Sequence, residues 1–279
     1  MSSWRFIESG PCAAAYNMAL DEAIAAAVRN GDAPSTLRFY GWRQPAVSLG
    51  AFQKITDIDT SYCAAHELNV VRRPTGGRGL LHGEELTYSF SGRNEGLFSK
   101  GLLDAYMKIS TAFSLSLQRL GLSVTIKTRR EKGSNLGRSP LCFQATSYGE
   151  LTINGKKLMG SAQKRWVDGF LQQGSVPFSL DYSALAAVFP ALRQSIPAGY
   201  DGIACLNELA PDFDPQVFKE YIKESFEILF GVSLLDALPA DQEVAQAHLL
   251  CAEKYLQPLW PGGKLLTGRL GNNGIQRPA

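Results

Sequence analysis

Apolar residues recur at helical spacing from residue 13 to 30, where Tyr16, Ala19, Leu20, Ala23, Ile24 and Ala27 share a face and Gly31 follows as a stop. The pattern predicts an amphipathic helix. Short apolar runs at 36–40 and 46–50, around a turn at 41–45, predict two strands, with a helix over 57–67. Two further strands are predicted at 69–74 and 85–91, separated by the glycine-rich segment TGGRGLLHG at 75–83. The helical period returns over 101–120 and ends at Gly121, before the strand-like 122–127. Residues 128–139, TRREKGSNLGRS, are polar and basic without apolar periodicity and read as an exposed loop. Asn154-Gly155 between two alternating runs predicts a hairpin over 148–165, and Asp168-Gly169 turns the chain into a third strand at 170–178. Helical patterns then occupy 181–189, 214–230 and 241–256, and the end, GNNGIQRPA, reads as mobile. Strands that first alternate with helices and then cluster into hairpins predict an α+β fold, with mixed, mostly antiparallel sheets flanked by helices.

Composition narrows the class without choosing a function. The 279 residues are 45% hydrophobic and 19% charged, ordinary for a globular protein with a sizeable core. A net charge of +2 points to no nucleic-acid partner, and the basic loop lacks the interleaved aromatics that stack on bases. Five scattered cysteines without a C-x-x-C pair fit neither a disulfide framework nor a zinc site, so no metal is expected. The start lacks the pattern of a signal peptide, and the longest apolar stretch, 184–192, is too short to span a bilayer. A cytoplasmic protein with reduced thiols and no membrane partner is the expectation.

Three places could carry chemistry. RRPTGGRGLLHG at 72–83 lacks the spacing of a phosphate-binding loop, but its glycines let backbone approach a ligand, and Arg73 and Arg78 could pair with a carboxylate or phosphate. His82 beside it is either a general base or a hydrogen-bonding structural residue. Cys142 follows a run of basic residues and precedes the hairpin, which suits a thiolate stabilised by nearby cations, though a buried apolar filler fits the same pattern. Alternation along the return strand puts Lys157, Met159, Ser161 and Gln163 on one face and turns Lys156 outward. Gly160, Ser161 and Ala162 are small enough for a ligand to lie against the strand.

Taken together, RRPTGGRGLLH at 72–82, ELTYS at 85–89, CF at 142–143, GKKLMGSAQ at 155–163 and FLQQGSV at 170–176 resemble the lipoate/biotin protein ligase superfamily over roughly residues 10 to 235. The resemblance implies that superfamily's class II synthetase-like catalytic fold, with residues 1–279 as one catalytic domain carrying a helical C-terminal extension from about 236. Within the superfamily, a cysteine fifteen positions before the lysine is similar to the octanoyl-[acyl-carrier-protein]:protein N-octanoyltransferases. That similarity implies Cys142 as nucleophile and Lys157 as its activator. The Gly76-Gly77 backbone and the strand Gly160, Ser161, Ala162 and Gln163 would line a tunnel for a C8 chain, with Arg73, Arg78 and His82 as further substrate-binding residues. It implies octanoyl-acyl carrier protein as donor, a lipoyl domain or glycine cleavage H protein as acceptor, and no cofactor. The alternatives are an ATP-dependent lipoate ligase and an octanoyl or lipoyl amidotransferase. Two departures from the family pattern, Gly83 after the histidine and Gln173 in the third strand, put catalytic roles for His82 and position 173 in doubt.

Overall fold

The computed structural model describes residues 2–128, 149–193 and 202–257. Eleven strands are described: β1 (Ser2–Cys12), β2 (Thr36–Trp42), β3 (Ala46–Leu49), β4 (Asn69–Arg72), β5 (Leu80–His82), β6 (Glu85–Arg93), β7 (Thr125–Ile126), β8 (Leu151–Ile153), β9 (Lys156–Arg165), β10 (Gly169–Pro177) and β11 (Val232–Asp236). The helices are α1 (Ala14–Asn30), α2 (Thr60–Ala65), α3 (Leu102–Arg119), α4 (Tyr182–Val188), α5 (Leu206–Leu209), α6 (Pro215–Phe230) and α7 (Asp241–Leu250), which continues as a π-helical turn at Cys251–Tyr255.

Eight strands form one sheet in the order β11-β1-β2-β6-β10-β9-β8-β7, and three form a smaller sheet, β4-β3-β5. β1 runs parallel to both β11 and β2, whereas the pairs from β2 to β7 are antiparallel. In the small sheet β3 is parallel to β4 and antiparallel to β5. This is the mixed, mostly antiparallel arrangement expected from the order of the elements.

Period-two alternation sorts the side chains of the large sheet between two layers. Leu37 and Phe39 of β2, Tyr88 and Phe90 of β6 and Phe170 of β10 face α3 and α6, where Phe113, Phe218 and Phe226 complete the main core. The opposite face meets α1, whose Met18, Leu20 and Ile24 pack with Ile7, Tyr40, Ala247 and Tyr255. That face also carries polar residues. Buried Asp21 of α1 accepts from Arg38 Nη1 (2.6 Å), Ser89 Oγ (2.6 Å), Tyr40 Oη (2.9 Å) and Gln173 Nε2 (2.7 Å). Such a network is stable because each buried polar group has a partner. Burial and the Asp21 carboxylate push the Tyr40 phenol well above its ordinary range, so it remains a donor.

Three strands are not visible in the sequence pattern. β1 buries Trp4, Arg5, Phe6 and Ile7 in succession because helices cover both of its faces, so alternation is lost. β5 hides inside the glycine-rich segment, and β11 begins one residue after the Gly231 cap of α6. The helix predicted at 57–67 is a 3-10 turn at Ile55–Asp57 followed by the short α2, which Asp59 caps by accepting from Tyr62 N. Most of the basic loop and the C-terminal tail lie outside the described residues.

Candidate active site

A small cleft, partly open to solvent, lies where the small sheet meets the large one. Met18, Tyr40, Trp42 and Leu80 give it an apolar wall, Gly160, Ser161, Ala162 and Gly174 a narrow one, and Ser48, Arg73, His82, Thr87 and Gln173 its polar groups. A small, largely apolar cleft with few polar groups is the form expected of a ligand pocket.

The β9 wall is built for close approach. Gly174 of β10 pairs with Ser161, and a Cβ on Gly174 would stand 2.4 Å from Tyr88 and 2.6 Å from Ser161 Oγ. Tyr88 Oη and Ser161 Oγ are 2.8 Å apart, Gln172 Nε2 donates to Tyr88 Oη, and Tyr106 Oη donates to Ser161 O. Burial pushes the Tyr88 phenol up to about 12.

Lys157 lies on β9 three residues before this wall; it is fully buried and does not itself line the cleft. Its backbone is held by the segment after α4, with Lys157 N donating to Gly202 O and Ala204 N to Lys157 O. Its ammonium pairs with Glu150 at 2.5 Å, and the Glu150 side chain is 3% exposed. The structure corrects the strict alternation expected here. Leu151 faces Met159 but Thr152 faces Lys157, an irregularity that leaves Lys157, Leu158 and Met159 all buried. Lys157 therefore lies in the interior, and Lys156 is half-buried instead of turned out.

The glycine loop is organised from within. The sequence pattern suggested an anion as the partner of Arg73. Although Arg73 lines the cleft, its guanidinium donates to the carbonyls of Gly76 (2.7 Å), Arg78 (2.6 Å) and Ser48 (3.2 Å). Gly77 has φ +83°, and the loop lies so close to β3 that a Cβ on Gly50 would stand 1.9 Å from Gly77 O. Of the expected substrate-binding residues, Arg73, His82, Gly160, Ser161 and Ala162 line the cleft. Gly76, Gly77 and Arg78 stand behind it in the loop, and Gln163 turns to Gln172.

His82 is buried, with Nδ1 2.7 Å from Glu85 Oε1 and Nε2 2.7 Å from Ser48 Oγ, and Trp42 stacks on its ring at 4.0 Å. The acidic partner of His82 is thus Glu85, three positions on. Burial opposes ionisation of Glu85, but the charge and hydrogen bond of His82, with the Thr87 and Ser175 hydroxyls, hold its carboxyl below the ordinary range. Gln173 is a bridge, accepting from Thr75 Oγ1 at 2.8 Å while donating to Asp21. Sequence reasoning missed Glu150, Glu85 and Ser48 because only the fold brings them to their partners. A glutamate before a hairpin looks like any surface charge.

Cys142 lies outside the described residues. Of the described thiols, Cys63 and Cys205 are buried and pushed up to about 11 and about 12, mainly by burial, and Cys251 is raised for the same reason. Among the described residues no cluster of His, Cys, Asp and Glu is placed to hold a metal ion, and no helix is long and apolar enough to cross a membrane.

Comparison with known proteins agrees with this architecture. The lipoyl protein ligase A/B catalytic domain matches residues 13–227. An octanoyltransferase LipM from Halalkalibacterium halodurans is 36% identical, covering 93% of this chain and 99% of its own. The octanoyltransferase LipM of Bacillus subtilis is 35% identical, covering 92% and 97%. Among solved structures, a lipoate-protein ligase A bound with ATP superposes with a TM-score of 0.77 at 20% identity, over 92% of this chain and 98% of that one. A bipartite lipoate protein ligase from Thermoplasma acidophilum, solved in a study with its E2 lipoyl domain, gives 0.77 at 20% identity, over 93% and 96%. The two structures share the fold, and the sequence relatives extend over nearly the whole chain. The chain belongs to the lipoyl protein ligase A/B catalytic-domain family, with octanoyltransferases of the LipM type as its full-length relatives.

Proposed function

We propose that this chain carries an octanoyl group from the phosphopantetheine thioester of acyl carrier protein to Cys142, and from Cys142 to a lysine of a lipoyl domain or glycine cleavage H protein. Octanoyl transfer in protein lipoylation is the activity in the names and family of its relatives. The thioester route and the two protein partners are the added steps. The observation that carries them is Lys157, a fully buried ammonium at the root of the strand whose Gly160, Ser161 and Ala162 wall the cleft. Burying a cation is costly even when it is paired, so its retention there calls for a job beyond stability.

In this reading the Lys157 ammonium favours the thiolate of Cys142 and then donates to the oxyanion of the tetrahedral intermediate. Glu150 supplies the anion that makes the buried cation tolerable and fixes its direction. The cleft receives the C8 tail, each buried methylene contributing about 0.8 kcal/mol. Thioester exchange is close to balanced and amide formation from a thioester is downhill, so the cycle needs no ATP. The basic residues from Lys127 to Arg138 would dock acidic carrier and lipoyl domains, an attraction that weakens with salt.

Incubation with octanoyl-acyl carrier protein and no ATP should give a mass increase of one octanoyl group, released by hydroxylamine and absent in Cys142→Ser. An adduct that persists in Cys142→Ser would reject the assignment.

A further inference from the structure

Ser48, His82 and Glu85 make a chain of nucleophile, base and acid that the Cys142 route does not use. Ser48 is 1% and His82 3% exposed, the Glu85 side chain is 5% exposed, and Ser48 and His82 both line the cleft. The two links of the chain, Ser48 Oγ to His82 Nε2 and His82 Nδ1 to Glu85 Oε1, are each 2.7 Å. An ionised carboxylate only accepts, so the proton between Glu85 and the ring sits on Nδ1. In the neutral ring, the form in which His82 acts as a base, Nε2 is then an acceptor and the Ser48 hydroxyl donates to it. Ser48 Oγ in turn accepts from Arg73 Nη1 at 3.1 Å, which commits its own hydrogen to His82 and sets a cation beside the oxygen. The imidazole is held in place by the Trp42 ring stacked on it, and Trp42 Nε1 donates to Glu85 Oε1 at 3.0 Å.

These are the connections by which a serine is activated: nucleophile bonded to base, and base oriented by a buried acid. We propose that Ser48, with His82 as general base and Glu85 as the orienting acid, hydrolyses medium-chain acyl esters and thioesters that enter the cleft. The apolar wall of Met18, Tyr40, Trp42 and Leu80 suits the cleft to an acyl chain. Ser48 Oγ bonds to the acyl carbon while its proton passes to His82 Nε2. The carbon–sulfur bond then breaks, and the thiol leaves with that proton. Water next adds to the acyl-serine, gives a proton to His82, and Ser48 is expelled and reprotonated. The sum is thioester and water to carboxylic acid and thiol. Arg73 Nη1, bonded to Ser48 Oγ, sets a positive charge beside the attacking oxygen. This activity stands apart from octanoyl transfer and does not rest on it.

The test uses the full-length Cys142→Ala protein, which lacks the proposed thioester route, with an octyl fluorophosphonate probe and p-nitrophenyl octanoate. Peptide mass spectrometry should place the phosphonate on Ser48, and ester hydrolysis should saturate and fall by roughly 100-fold or more in His82→Gln. Labelling is read with Ser48, His82 and Glu85 all intact, so a folding defect in Ser48→Ala leaves the labelling result unaffected. Failure of Ser48 to label in the folded protein, or hydrolysis undiminished in a folded Ser48→Ala variant, overturns the proposal and leaves the three residues as a buttress for Arg73. Octanoyl transfer by the protein that retains Cys142 is scored separately, so the two readings stand or fall independently.

Discussion

Lys157 and Glu150 show how one pair can be needed both for stability and for chemistry. Desolvating two ions costs several kcal/mol each, and mutual attraction offsets it only while both are present. Glu150→Gln should therefore lower the free energy of urea unfolding by about 3–5 kcal/mol, because it leaves Lys157 buried beside a neutral group. Replacing both, as Glu150→Leu with Lys157→Met, should return stability close to wild type while acylation stays lost. A Glu150→Gln protein as stable as wild type would mean that the pair does not balance the buried charge. Spacing and alternation singled out Lys157 from its neighbour Lys156 in the sequence. Its burial was not legible, since it depends on an irregular register and on Glu150 reaching across seven positions.

At the level of elements, strong local patterns translated directly into structure. The 3.6-residue period and Gly31 define α1, and Asn154 at φ +50° with Gly155 at φ +81° makes the turn between β8 and β9 that their sequence requires. The glycine loop was legible as glycine-rich but not as a packed element, because its partner is another glycine, at the end of β3. Gly50 leaves no room for a side chain, and the atom it would strike is the Gly77 backbone carbonyl, which has no rotamer to escape into. Gly50→Ala should destabilise the protein by about 1–3 kcal/mol or more. It should also slow acyl loading, because the loop must move away from the cleft wall. Thermal unfolding and the rate of adduct formation check both, and a variant that loads at the wild-type rate would detach the loop from the site.

Across the whole molecule, the cleft exists because two sheets and α1 converge on it, and that convergence was only partly legible. The α+β class followed from the order of elements. β1 and β11 did not, since a strand covered on both faces has no alternation and a short edge strand after a helix cap carries few signals. Among the described residues the last helix, α7, returns to α1, where Glu243 pairs with Arg5 and Ala247 joins the α1 core. Family motifs located the cleft walls, while Ser48 and Glu85 emerged only when β3, β5 and β6 were placed together. The central claim is that octanoyl moves through Cys142 without nucleotide. It is tested most directly by isolating the octanoylated protein, mixing it with an apo lipoyl domain in the absence of ATP, and following both masses with time. The octanoyl mass should disappear from this chain as it appears on the lipoyl-domain lysine, at matching rates. An adduct that stays on the enzyme, or transfer that begins only when ATP is added, would contradict the claim.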